Sequence, residues 1–335
     1  MMEVKKQLNK LENYPIGICG TVLAFMTISN AWKGFGIDFL KPISVIIAIG
    51  ALTLMLVRAI MFPKRVAEEI KNPVLGSFYP TIDMALFLIA STIVSFVPHL
   101  AKGIWLFAVA FHFIIFLVFF FIRIKEHNFK DMVPSWFVVW IGMVVGTVAS
   151  PGMGFDGIAK FLCYFGIFFY VVTWPVMGYR MFWHREKVED HKMPTIGIMA
   201  APASLCIAGY LTITHTPNMI LLSFLAVTSL FNLGLVYTYI IGFIKKGFAP
   251  TYAALTFPLA ISVVASLKMS KLFVGHMLLS NGFRILGDVE IFIATGVIFY
   301  VLFNFLNLFV KAINPKLEEE ILVVEEGMGT VNKEF

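Results

Sequence analysis

The chain has 335 residues, of which 59% are hydrophobic and only 14% charged, with mean hydropathy +0.87, whereas charged residues make up about a quarter of soluble domains. That balance excludes a soluble enzyme or nucleic-acid-binding module and points to a membrane protein, so the net charge of +6 is read from where the cations sit. Cys19, Cys163 and Cys206 fall singly in apolar segments, as small buried hydrophobes do, and suggest neither a disulfide framework nor a metal site.

A helix needs about twenty apolar residues to cross the hydrocarbon core. Runs of that kind recur at 15–33, 42–62, 80–98, 104–122, 134–153, 158–179, 194–213, 219–243, 250–267 and 288–310. The expectation is an all-α membrane protein with ten transmembrane helices, the first run being a retained span and not a cleaved signal peptide. Residues 1–13 are expected as a cytoplasmic segment, 14–312 as the channel domain, and 313–335, with KLEEEILVVEE at 316–326, as an acidic cytoplasmic tail.

Nineteen Lys and Arg fall at the N-terminus, after the even-numbered spans and at the C-terminus, and 7 fall on the other side. The positive-inside rule therefore puts both termini in the cytoplasm, with the plasma membrane as location. Each odd span opens on a proline, Pro15, Pro80, Pro134, Pro194 and Pro250, at intervals of 65, 54, 60 and 56 residues. One proline in a first turn means little, but five in phase mark a repeat of about sixty residues. Because every copy starts on the same side, the copies are expected to be five parallel helical hairpins related by rotation about the membrane normal, which can close into a ring around a central pore.

The odd spans are richer in Pro, Gly, Ser and Thr than the even ones, such as Leu106 to Ile124, and are expected to line the axis while the even ones face lipid. Seven places past the repeat prolines stand Val22, Phe87, Ile141, Ala201 and Phe257, and eight places past stand Leu23, Leu88, Gly142, Pro202 and Pro258. Pro202 and Pro258 are expected to bend the seventh and ninth spans near mid-membrane. Phe257 and Phe87 become candidate occluding rings beside the small Gly142 and Ala201.

Carboxylates inside a membrane mark cation and proton pathways, and the odd spans hold only Asp83, near the start of the third. It is either a proton-coupling group or a first-turn acid favoured by the helix dipole. A wall of hydroxyls (Thr21, Ser91, Thr147, Ser204, Thr256, Ser262) under a basic cytoplasmic rim suits anions without binding them deeply. His112, in an even span, has no carboxylate four residues away on either side. His184 and His191 lack a third ligand. Lys268, Lys271, Arg284, Asp288 and Glu290 are expected as a solvated outer rim. No nucleotide, zinc-protease or hydrolase motif is present, so neither catalysis nor a cofactor is expected.

The segments NPVLGSFYPT (72–81), PTIGIMAAPAS (194–204) and, above all, TYAALTFPLAIS (251–262) resemble the tellurite-resistance/dicarboxylate transporter family. That family includes the slow-type anion channels of plant guard cells and the yeast malic-acid transporter, and the likeness covers residues 14–312. It implies a homotrimer in the lipid bilayer, one pore per protomer, blocked by a phenylalanine that the motif places at Phe257. Ala253 and Ala254 stand beside the tyrosine where bulky aromatics are frequent in plant-like members, and the long cytoplasmic extensions of those members are missing. The function expected is passage of small anions such as chloride or nitrate. The alternative is a proton-coupled or gradient-driven carrier of four-carbon dicarboxylates such as malate, or of oxyanions such as tellurite or sulfite. A membrane-embedded enzyme or sensor would need polar groups converging at mid-membrane.

Overall fold

In the computed structural model, which describes residues 9–184, 190–244 and 247–313, the chain is helical and has no strand among the described residues. The helices are α1 (Gly17–Trp32), α2 (Leu40–Met61), α3 (Pro63–Lys71), α4 (Leu75–Phe78), α5 (Thr81–Ile93), α6 (Pro98–Glu126), α7 (Trp136–Ile141), α8 (Val144–Val148), α9 (Asp156–Trp183), α10 (Ala201–Ile213), α11 (Met219–Ile244), α12 (Ala253–Leu272) and α13 (Met277–Ile313). Eight helical runs among the described residues are long and apolar enough to span a bilayer. Two of the ten expected runs fall short of that length. α1 has 16 residues, about 24 Å at 1.5 Å per residue. The fifth run is cut into α7 and α8 by a turn at Gly142 and Met143. The expected acidic tail lies outside the described residues, as do residues 1–8.

The element boundaries follow local chemistry. Phe62 leaves helical geometry (φ −126°, ψ 53°) and Pro63 opens α3 in the first turn, where its missing N–H costs no hydrogen bond. Pro98 does the same for α6 after Val97. Gly152 and Gly154 take φ values of 84° and 77°, a left-handed backbone that glycine adopts without steric cost, and they turn the chain from α8 into α9.

The repeat prolines do not all begin α-helices. Pro194 lies in a 3-10 helix over Asp190–Ala200, and Pro250 opens a short one over Pro250–Tyr252. Pro202, expected at a mid-helix bend, instead falls in the first turn of α10, where the backbone changes from 3-10 to α. Pro258 does lie inside α12.

Burial separates the helices into two classes. In the most apolar eighteen-residue window of each run, 83% of residues are buried in Met193–Ile213 and Pro250–Leu272 and 72% in Leu75–Ile93, against 33% in α2, α6, α9 and α13 and 44% in α11. The second class therefore presents most of its surface outward, and its exposed residues are Phe, Ile, Leu and Val, as lipid contact requires. Among the buried elements the neighbours close a circuit. α1 packs on α5, α5 on α8, α8 on α10, α10 on α12, and α12 back on α1. Outside it, α2 packs on α1, α6 on α5, α9 on α7, α8 and α10, α11 on α10, and α13 on α12 and α1.

Candidate functional site

Each of the five buried segments contributes to one small cavity of about 40 Å³. Gly20 comes from α1; Phe78, Thr81 and Met84 from α4 and α5; Phe137, Val138, Ile141 and Gly142 from α7 and the turn after it. Ile198, Ala201, Pro202 and Leu205 come from the 3-10 stretch and α10, and Ala253, Ala254, Phe257 and Pro258 from α12. The wall lies in the first half of every segment, on the side of the repeat prolines, and it includes no ionisable side chain. At 10–15 Å³ per water sphere, the space holds about three waters.

Five of the six residues singled out for the pore, Phe257, Pro258, Pro202, Gly142 and Ala201, line this cavity together. Phe257 is 8% exposed and belongs to its surface. Pro258 has no N–H to give to the Ala254 carbonyl one turn back. A Cβ placed on Gly197 would lie only 3.0 Å from that carbonyl oxygen and 2.5 Å from Leu255 Cδ2, so the 3-10 stretch approaches α12 across a glycine.

The sixth, Phe87, is fully buried elsewhere. Its ring packs 5.7 Å from Trp105 of α6, and its Cζ lies 2.9 Å from where a Cβ on Gly146 would be. Trp105 in turn donates through Nε1 to the Gly146 carbonyl at 3.0 Å. Phe87 is thus a wedge between α5, α6 and α8.

The expected hydroxyl wall is not formed. Thr21, Ser91, Thr256 and Ser262 donate back to carbonyls three or four residues earlier, Ser204 to Ala200, and Thr147 across to Ala159. In an apolar interior a hydroxyl with a carbonyl in reach satisfies itself locally, so these side chains turn onto their own backbone and leave the cavity apolar. Thr81 is the hydroxyl on the wall, and it donates to Phe78 at 2.6 Å.

Asp83 and His112 are both completely buried, and His112 Nδ1 lies 2.6 Å from Asp83 Oδ1. His112 Nε2 donates to the Val139 carbonyl at 3.0 Å. The other carboxylate oxygen, Asp83 Oδ2, is buried without a partner. The sequence reading looked for a partner to His112 along its own helix and found none. The partner comes from α5, 29 residues away, and only the packing of α5 on α6 supplies it.

The outer rim also needs correction. α13 begins at Met277, well before the apolar run that starts at 288. Glu290 therefore lies inside a helix packed on α12, 1% exposed, with its oxygens 3.3 Å from the Ser262 and Ser266 hydroxyls. Lys268 is turned inward onto the Ala208 carbonyl at 3.0 Å and the Thr212 hydroxyl. Arg284 and Asp288 remain as an exposed pair at 2.9 Å.

Comparison with known proteins bears on what such a site does. The family model described as SLAC1, voltage-dependent anion channel, matches residues 13–306. The chain belongs to the SLAC1 family. Two uncharacterized transporters of Methanocaldococcus jannaschii are similar to it, each 24% identical. One aligns over 295 residues, 81% of this chain and 82% of the relative, and the other over 241 residues, 64% and 69%. A SLAC1-family anion transporter or channel is consistent with an uncharged cavity to which all five buried segments of a helical membrane bundle contribute.

Proposed function

We propose that this SLAC1-family chain passes small anions, of chloride or nitrate size, through a pore between the five buried segments. In this reading α1 and the short α7–α8 pair complete ten spans. The spans form five parallel hairpins in quasi-fivefold order, with both termini on the cytoplasmic side of the plasma membrane and three protomers per assembly. Phe257 is the gate. Its ring occupies the wall of a cavity too small for a continuous water path, and the bend at Pro258 fixes the ring's place on α12.

The observation that carries the reading is the composition of the wall. All five segments contribute to it, and none contributes a charge. A neutral wall neither repels an anion nor holds it, and fast passage needs both conditions. The test is Phe257→Ala in purified protein in planar bilayers. Removing the ring widens the narrowest part of the path, so anion conductance is expected to rise several-fold. Unchanged conductance in a folded variant would remove Phe257 from the gate.

A further inference from the structure

We infer that Asp83 and His112 form a proton-binding site whose occupancy sets the charge behind the cavity wall and thereby controls anion passage. This rests on the anion-pore reading for its transport consequence, and on geometry alone for the site itself.

The hydrogen-bond pattern counts the protons. A carbonyl oxygen only accepts, so His112 Nε2 must carry a hydrogen to reach Val139. The contact of 2.6 Å between Nδ1 and Asp83 Oδ1 needs one more proton between the two groups, supplied by either partner. With that bridging proton, both hydrogen bonds are made and the pair is neutral in sum. When it leaves, to water in the cavity, the pair carries one negative charge and only one ring nitrogen keeps a hydrogen. A lone pair then faces either the carboxylate or the Val139 carbonyl, and one of the two bonds is lost.

Position gives that event its effect. In an unbroken helix the Val139 carbonyl would accept from the Met143 N–H. Here the chain breaks at Gly142, and the imidazole takes that carbonyl. Gly142 itself lines the cavity, and a Cβ on it would lie 3.1 Å from His112 Cε1 and 2.9 Å from Met84 Sδ. Only a glycine therefore separates the ring from the cavity wall. Deprotonation puts a negative charge directly behind that wall, which opposes an anion, and loosens the support of the break.

No second charge obscures this one. α1 brings Cys19, while α7 and α8 bring no ionisable group. α2 carries Lys41 and Arg58 near its two ends, and Arg58 is bound to Glu69 of α3. The other charges of α3 lie on that same short helix. On α6, His99 and Lys102 lie at one end and Arg123, Lys125 and Glu126 at the other. Of these ionisable groups, His112 is the one in hydrogen-bond contact with Asp83.

Anion current should therefore be high at acid pH and fall several-fold as pH rises through the titration of the pair. Asp83→Asn keeps both hydrogen bonds, its amide donating to Nδ1, but holds no bridging proton and no charge. It is expected to show the acid-level current at every pH. A pH profile in Asp83→Asn identical to that of the unaltered protein overturns the inference. A second measurement does not depend on transport: among the seven histidines of isotope-labelled protein, one pH-dependent imidazole signal should be the one that is lost in His112→Gln. Absence of that signal also overturns the site. A titrating His112 in folded protein with no anion current at any pH supports the proton site and instead overturns the anion reading.

Discussion

Both terminal nitrogens of Arg58 are bound to one carboxylate, with Nη1 2.9 Å from Glu69 Oε2 and Nη2 2.5 Å from Oε1, and the Tyr79 hydroxyl donates to Oε2 at 2.8 Å. Nε reaches back to the Glu12 carbonyl at 3.0 Å, so the first segment, α2, α3 and the start of the third span meet at one ion pair. Arg58 is 1% exposed, and removing one partner of a buried pair leaves a charge uncompensated. Glu69→Gln is expected to cost about 3 kcal/mol, against about 1 kcal/mol for Tyr79→Phe, which removes only a hydrogen bond; thermal unfolding in detergent separates the two. Sequence alone showed Arg58 as one of many cytoplasmic cations, because charge counting cannot tell a solvated arginine from one folded back onto a helix eleven residues away. The two phenylalanines teach the same lesson. Phe257, singled out because a proline follows it, lies on the cavity wall. Phe87 shares the count from its repeat proline but is followed by Leu88, and its ring turns to Trp105. A 3-10 turn holds 3.0 residues and an α turn 3.6, so stretches of unequal 3-10 length rotate equal residue counts onto different faces.

The broken fifth run shows what an element contributes beyond its residues. Val144, the first residue of α8, is clasped between two glycines: a Cβ on Gly166 of α9 would lie 2.1 Å from Val144 Cγ2, and one on Gly209 of α10 2.5 Å from Cγ1. Valine has one comfortable rotamer in a helix and cannot swing aside. Gly166→Ala should therefore be destabilising by about 1–3 kcal/mol through overpacking. Gly178, on the same helix α9, has nothing within 4 Å of its added Cβ, so Gly178→Ala should stabilise by about 0.5–1 kcal/mol through helix propensity. Opposite signs in one helix, read by paired unfolding curves, would establish that close approach and not flexibility is what Gly166 serves. The element's existence was legible from apolar length, and its break was not. The run from Trp136 to Val148 has no proline, and what replaces the missing helical bond at Val139 is a side chain from α6.

At the scale of the molecule, the cavity wall has no charge, so in the proposed pore a preference among ions is expected to be set by charges outside the cavity. More of the basic side chains lie on the side of the repeat prolines, where Lys64, Lys71 and Lys125 stand near helix ends. Several cations nearby are already in ion pairs, Arg58 with Glu69, Arg65 with Glu68 and Glu69 at 3.7 and 3.6 Å, and Arg123 with Glu126 at 2.8 Å, while Arg180 donates to the carbonyls of Lys130 and His184 and keeps its charge. What remains is a diffuse positive field acting through solvent at the mouth. Such a field reaches about 10 Å at 0.1 M salt and about 3 Å at 1 M. The preference for chloride over potassium, read from reversal potentials in a salt gradient, is therefore expected to fall as total salt rises across that range. Phe257→Ala should show the same decline, because it alters the width of the path and not the field at its mouth. A preference independent of salt in both proteins would place selectivity inside the path, in the backbone around Gly142 and Pro258, and would make the basic rim a determinant of orientation alone.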